Sequence, residues 1–256
     1  MKIKDALKLK NGDYILEKIL NKDKVWLFLN DDKKIPKEFF EIYEKVESGY
    51  PIEYIFNEVY FYGDKFFIKE GVLIPRDDTE VVVERAIKLI NKLKIENGKL
   101  KVIDCCTGSG VIAIEIAKHT NATVIATDIN EIALEVAKKN AKLHNVEAEF
   151  KKCDLFNECA DVLIANPPYV EITHKKPNDY EPDEAFYGGV DGLDIVKKII
   201  LKAKKMNFKA LVLEIGYNQQ LLLTKFLKEQ NINNFEFFKD LAGNIRGVEI
   251  ILDENS

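Results

Sequence analysis

Residues 100–113 read LKVIDCCTGSGVIA, and a second β-rich run, ATVIATD, follows at 122–128. LKVIDC has the length and β-branched content of a buried strand, and residues 111–119 (VIAIEIAKH) read as a helix. Between them stand Gly108 and Gly110, where the backbone can turn tightly and a ligand can approach without meeting a Cβ. Working outward, residues 131–145 space Ile132, Ala133, Val136, Ala137 and Ala141 as one helical face. Further strands are predicted at 148–154, 160–165 and 209–215, with helices at 193–206 and 219–230 around the last of them. Strands alternating with helices of this length predict a parallel, doubly wound α/β sheet with right-handed crossovers. Residues 234–239 and 247–253 read as two strands joined only by DLAGNIR, so the sheet is expected to end in an antiparallel hairpin.

The N-terminal region differs. Residues 13–20 and 37–46 have helical spacing with charged faces, and Pro36 suits a first helical turn. The aromatic stretch YIFNEVYFYGDKFFI at 54–68 contains Tyr62-Gly63-Asp64, a turn between two strands. The expected division is therefore residues 1–72, a helical domain plus connecting hairpin, and residues 73–256, the α/β domain. A chain of 256 residues accommodates one large domain or two unequal ones.

Composition narrows the partners. Lys and Arg number 38 against 43 Asp and Glu, a net charge of −5, and the only arginines are Arg76, Arg85 and Arg246. Nucleic-acid binders usually carry a basic stripe and many phosphate-clamping arginines, so no nucleic-acid partner is expected. The start, MKIKDALKLK, lacks the apolar run of a secretory signal, and no apolar stretch approaches the ~20 residues needed to span a bilayer. No membrane association and a cytoplasmic location are expected. Cys105, Cys106, Cys153 and Cys159 match no common zinc spacing and read as reduced, structural thiols, so no metal is expected.

The chemistry gathers at the strand ends. Asp128 closes the strand after the glycine loop, where a carboxylate can accept hydrogen bonds from both hydroxyls of a ribose. Gly108-x-Gly110-x-x-Ala113 also fits a dinucleotide fingerprint, so the loop by itself leaves NAD and other adenosyl cofactors open. Asp104 before the glycines and Asp154 after the next strand tilt the choice toward a phosphate-free, cationic adenosyl ligand. Asn166-Pro167-Pro168-Tyr169 follows the strand ADVLIA at the sheet edge where such ligands bind. Its Asn166 side chain and Pro167 carbonyl can each accept one N–H of an –NH2 group, and Tyr169 offers an aromatic face. An amide nitrogen is a poor nucleophile, so orientation matters: well-placed reactants gain roughly 7–11 kcal/mol.

These residues resemble the HemK/PrmC family of S-adenosylmethionine-dependent methyltransferases, which modify a glutamine side-chain nitrogen in peptide chain release factors. The resemblance runs from Gly49 to Asp253: IPRDDTE at 74–80, DCCTGSG, CDLF, NPPYV, then EP-x-x-A with GG-x-DGL at 181–193, EIGYNQ at 214–219 and DLAGNIR at 240–246. It implies a Rossmann-like, seven-stranded methyltransferase domain behind a helical N-terminal domain that grips the release factor and presents its GGQ loop. It also implies that Cys106, Thr107, Gly108, Ser109 and Gly110 line the methionine part of S-adenosylmethionine, that Asp128 binds its ribose and that Leu155 lies near the adenine; with Asp104, Asp154 and Asn166 these make up the expected cofactor site. Asn166, Pro167, Pro168 and Tyr169 would hold the substrate glutamine, with Asn166, Pro167 and Tyr169 catalytic. The implied reaction is direct displacement without a covalent enzyme intermediate, by a monomer. Related enzymes with the same tetrapeptide act on ribosomal-protein glutamine or on adenine N6, and an NAD-dependent oxidoreductase is the rival from outside the group. The chain departs from the family where Cys106 and Asn57 replace common glycines and Asp77 a common proline.

Overall fold

The computed structural model describes residues 1–93 and 98–252 and divides the chain into two compact units, Met1–Asn57 and Glu58–Ser256. The first unit holds five short helices: α1 (Ile3–Ala6), α2 (Gly12–Leu20), α3 (Lys24–Leu29), α4 (Glu38–Glu47) and α5 (Ile52–Phe56). Their apolar faces enclose Ile3, Ala6, Ile15, Leu16, Leu27 and Phe39. Asp23 caps α3, its carboxylate accepting from Trp26 N at 2.7 Å, which satisfies a donor that the helix itself cannot. Helices α1, α3 and α5 were not visible as separate elements in the sequence, because six residues or fewer carry too little periodicity.

The second unit opens with an antiparallel hairpin, β1 (Glu58–Phe61) and β2 (Asp64–Phe67), then α6 (Glu80–Lys92). The alternating part follows: β3 (Lys101–Cys105), α7 (Val111–His119), β4 (Thr123–Asp128), α8 (Glu131–Leu143), β5 (Glu149–Lys152), β6 (Val162–Ala165), α9 (Asp194–Lys205), β7 (Ala210–Glu214), α10 (Gln220–Glu229), β8 (Phe235–Lys239) and β9 (Ile245–Ile251). The strand order is β5-β4-β3-β6-β7-β9-β8. The first five strands are parallel, and β9 runs antiparallel to both β7 and β8. This is the expected mostly parallel, seven-stranded sheet with a terminal hairpin. The last strand was expected to reach Asp253, which lies outside the described residues.

The period of two divides each strand between two cores. Val102, Val162, Ile164, Ala210 and Val212 face one side, packed with Val82, Val83 and Ala86 of α6 and Ile112, Ala113 and Ile116 of α7. Ile103, Leu163, Leu211 and Leu213 face the other, against Val196, Ile199 and Ile200 of α9 and Leu223 and Leu227 of α10. Phe61 and Phe66 of the hairpin sit in the first of these cores. The unit boundary therefore falls before the hairpin, at Asn57/Glu58, whereas the sequence reading placed it after residue 72. The order of strands reverses between β3 and β6, so the crevice outside their carboxyl ends is the place where a sheet of this topology binds ligands.

Candidate active site

The glycine loop leaves β3 at Cys105 and enters α7 at Val111, with Gly110 as the preceding cap at φ +85°. A Cβ on Gly110 would lie 2.9 Å from Ala137 Cβ, so glycine is required here both by backbone conformation and by close approach to α8. Asp104 does not reach the crevice. It is fully buried beneath the loop, its Oδ2 accepting from Ala113 N at 3.1 Å and from the Thr107 hydroxyl. Its Oδ1 has no partner among the described residues, and burial pushes the carboxyl up to about 7. Asp104 thus braces the loop from within the fold and does not line the cavity at this edge.

A cavity of about 330 Å³ opens at this edge, within the usual range for small-ligand sites. Of the residues singled out in the sequence, Cys106, Gly108, Asp128, Asp154, Leu155, Asn166 and Pro168 line it. Asp104, Thr107, Ser109, Gly110, Pro167 and Tyr169 do not: the first five are buried, and the Tyr169 hydroxyl is drawn inward. Asp128 Oδ2 accepts from Gly108 N and its Oδ1 from Asn130 N, each at 2.8 Å. These bonds aim the carboxylate while leaving lone pairs for a ligand. Burial raises its pKa against that donation.

Residues not foreseen complete the wall: Gly71, Val72 and Leu73 ahead of IPRDDTE, then Glu184 and Tyr187 from the long segment after the tetrapeptide. Glu184 was legible only as part of EP-x-x-A, with no spacing that ties it to Asp128. None of the described residues lining the cavity is Lys, Arg or His, while Asp128, Asp154 and Glu184 are acidic. A pyrophosphate would meet repulsion here and no counter-charge, whereas a cationic adenosyl ligand suits the donor set.

The tetrapeptide is held from three directions. Asn166 Nδ2 donates to Thr79 Oγ1 at 3.1 Å, and the Tyr169 hydroxyl donates to Glu214 Oε1 at 2.9 Å. Buried Gln219 donates through Nε2 to Tyr169 O at 2.7 Å and to Asp191 O at 3.1 Å. A Cβ on Gly192 would sit 2.1 Å from Tyr169 O, so the GG-x-DGL turn can press against the tetrapeptide only as glycine. Segment 170–187 is bridged at its ends by Val170 and Tyr187. At its middle it is pinned by buried Glu181, which accepts from Arg76 at 2.7 and 2.8 Å, Ile74 N at 3.0 Å and Asn178 at 2.9 Å. The motif segments far apart in sequence thus converge on one loop.

Residues 85–180 match the Methyltransferase small domain family and residues 8–56 the PrmC N-terminal domain family. The chain is 34% identical to a release factor glutamine methyltransferase of Clostridium botulinum, covering 93% of this chain and 90% of that protein. It is 33% identical to the protein of the same name from Thermodesulfovibrio yellowstonii, with 94% and 91% covered. Among solved structures, a methyltransferase from Pyrococcus furiosus superposes with a TM-score of 0.54 at 18% identity, covering 75% of this chain and 90% of that one. The N-terminal domain of human METTL16, solved in complex with SAH, gives 0.55 at 18%, with 72% and 74% covered. At such identities the structural likeness speaks for the fold.

Proposed function

The chain belongs to the release factor glutamine methyltransferase family, and from that premise we propose how it methylates the side-chain amide of the glutamine in a release factor's GGQ motif. S-adenosylmethionine supplies an electrophilic methyl group on a positively charged sulfur. Cys106, Gly108, Asp128, Asp154, Leu155 and Glu184 would hold it, with Asp128 taking the ribose hydroxyls. One observation carries this reading: Asn166 and Pro168 form part of the wall of a cavity that is acidic, free of basic side chains, and floored by the glycine loop.

The substrate amide is a weak nucleophile, so the residues of the tetrapeptide work by placement. Asn166 Oδ1 accepts one amide N–H and the Pro167 carbonyl the other, which turns the nitrogen toward the cavity. Tyr169 stays a neutral phenol, because burial and the neighbouring Glu214 raise its pKa, and it packs beside the amide plane. The leaving amide proton passes to water. We further take residues 1–72 to hold the recognition surface for the release factor, and the enzyme to act in the cytoplasm as a monomer on a protein partner. The exposed apolar residues Val25, Phe28 and Leu29 of α3 support the first point. The net charge of −5 supports a protein partner over nucleic acid. No helix among the described residues is long and apolar enough to cross a membrane.

The test is incubation with labelled S-adenosylmethionine and purified release factor, followed by localisation of the methyl group by mass spectrometry. The label is expected on the GGQ glutamine, and Asn166→Ala should abolish transfer while S-adenosylmethionine still binds. Wild-type turnover by Asn166→Ala would remove Asn166 from the mechanism.

A further inference from the structure

We propose that Thr79 is a positioning residue for Asn166: its buried hydroxyl, accepting from Asn166 Nδ2 beside the Glu214 carboxyl, decides which end of the Asn166 amide faces the substrate. The inference rests on the reading of Asn166 as the acceptor for the glutamine amide.

The observation that singles out Thr79 is where its hydroxyl is used. Thr79 ends a 3-10 turn, Asp77–Thr79, that runs on into α6 with helical backbone angles, and its side chain makes no capping hydrogen bond. The residue is 2% exposed, and its hydroxyl accepts from Asn166 Nδ2 at 3.1 Å. A buried hydroxyl is thus committed to the site and not to the helix.

The direction of the chain follows from charge. Glu214 is 1% exposed at the end of β7; its Oε1 takes the Tyr169 hydroxyl at 2.9 Å, and its Oε2 has no partner of good geometry among the described residues. The Thr79 hydroxyl lies beside this carboxyl and stabilises its charged form, as do Tyr169 and Arg246. A carboxylate only accepts, so the proton of the neighbouring Thr79 hydroxyl is drawn to that side without closing a hydrogen bond of good geometry. The Thr79 oxygen is the atom that accepts the Asn166 NH2 group. Asn166 Oδ1 is thereby turned away from Thr79 and left as the acceptor for a substrate N–H. Were the amide reversed, Asn166 would present two N–H donors to the substrate's own NH2, and no hydrogen bond would form.

Thr79→Val keeps the shape and removes the hydroxyl, so the Asn166 amide loses its preferred direction. The expected result is a kcat for release factor lower by about 10- to 100-fold, the scale of misplacing a reacting group. The dissociation constant for S-adenosylmethionine and the melting temperature should stay near wild type. Thr79→Ser restores the hydroxyl and should recover most of the rate. A wild-type kcat in Thr79→Val overturns the proposal. So does loss of cofactor binding in that variant, or a Thr79→Ser as slow as Thr79→Val, since either outcome marks a role in the fold alone. Turnover that survives in Asn166→Ala would instead sink the site reading beneath it, so the two failures are distinguishable.

Discussion

Cys106 stands in the left-handed region at φ +61°, and Asn57 does so at φ +54°. Both replace residues that are commonly glycine in the family, and both keep the backbone shape that the glycine serves. Asparagine enters this region readily, whereas cysteine meets a cost of about 1–2 kcal/mol. Cys106→Gly should therefore be tolerated, with S-adenosylmethionine binding retained. Cys106→Val, β-branched and at the same φ, should lose roughly 2 kcal/mol in a denaturant titration. Glu214 makes a second prediction at this scale. Burial pushes its carboxyl up to about 7, against the pull of Thr79, Tyr169 and Arg246 and with a smaller push from Asp78. The group is charged above that pH and neutral below it, and only the charged form enforces the direction of the Thr79 hydrogen bond. The kcat should rise between pH 6 and 8 with an inflection near 7, and Glu214→Gln should be slow with that inflection absent; an unchanged inflection assigns it to another group.

Among the elements, the hairpin β1–β2 is tied to the glycine loop by one side chain. Asn140 of α8 is fully buried; its Oδ1 accepts from Phe67 N at 2.7 Å. Its Nδ2 donates to Phe67 O and to Ser109 O, each at 2.9 Å. It ties the edge of β2 to the glycine loop, using backbone groups that would otherwise be orphaned. Asn140→Ala should cost about 3 kcal/mol, because buried polar groups are left unpaired, and should weaken S-adenosylmethionine binding through the loop. A stable variant with unchanged cofactor affinity would argue against the tie. Nothing in the periodicity of residues 131–145 marks Asn140 apart from its place among Val136, Ala137 and Ala141, the face that turns inward. Within the second unit the sequence reading also missed α6: Val82, Val83, Ala86, Leu89 and Ile90 have helical spacing and all are buried, a signal present in the sequence and passed over beside the stronger motifs.

For the molecule as a whole, the buried acids set how stability responds to pH. Asp104 and Glu214 each titrate near 7 in the folded protein, above their ordinary values of 3.8 and 4.5. The native state then holds protons that the unfolded chain has released, so stability from these groups is full below about pH 4 and is lost as pH rises through 7. Calorimetry should find the melting temperature falling between pH 5 and 8 by a few degrees, about 2–4 °C per kcal/mol, with a shallower slope in Asp104→Asn. Surface recognition belongs to this scale too. Phe28 and Leu29 are 68% and 80% exposed, so Phe28→Asp with Leu29→Asp should leave stability nearly untouched. If the helical unit grips the release factor, the pair should raise KM for it by about tenfold or more while cofactor affinity stays constant; an unchanged KM would place recognition elsewhere. The sequence by itself determined the sheet, the glycine loop, Asp128 and the tetrapeptide, because strand and helix periods and turn residues are local properties that a linear reading captures. Only the tertiary structure decided that Asp104 braces rather than lines, that Glu184 joins the acidic wall, that the hairpin packs with the α/β unit, and that Thr79, Glu214 and Gln219 hold the tetrapeptide. Those outcomes depend on contacts between residues 22 to 87 positions apart in the chain (Asp104 beside Ala126 and Ile164, Ser109 to Asn140, Thr79 to Asn166), and such pairings are set by how the crossovers close, which no local pattern encodes.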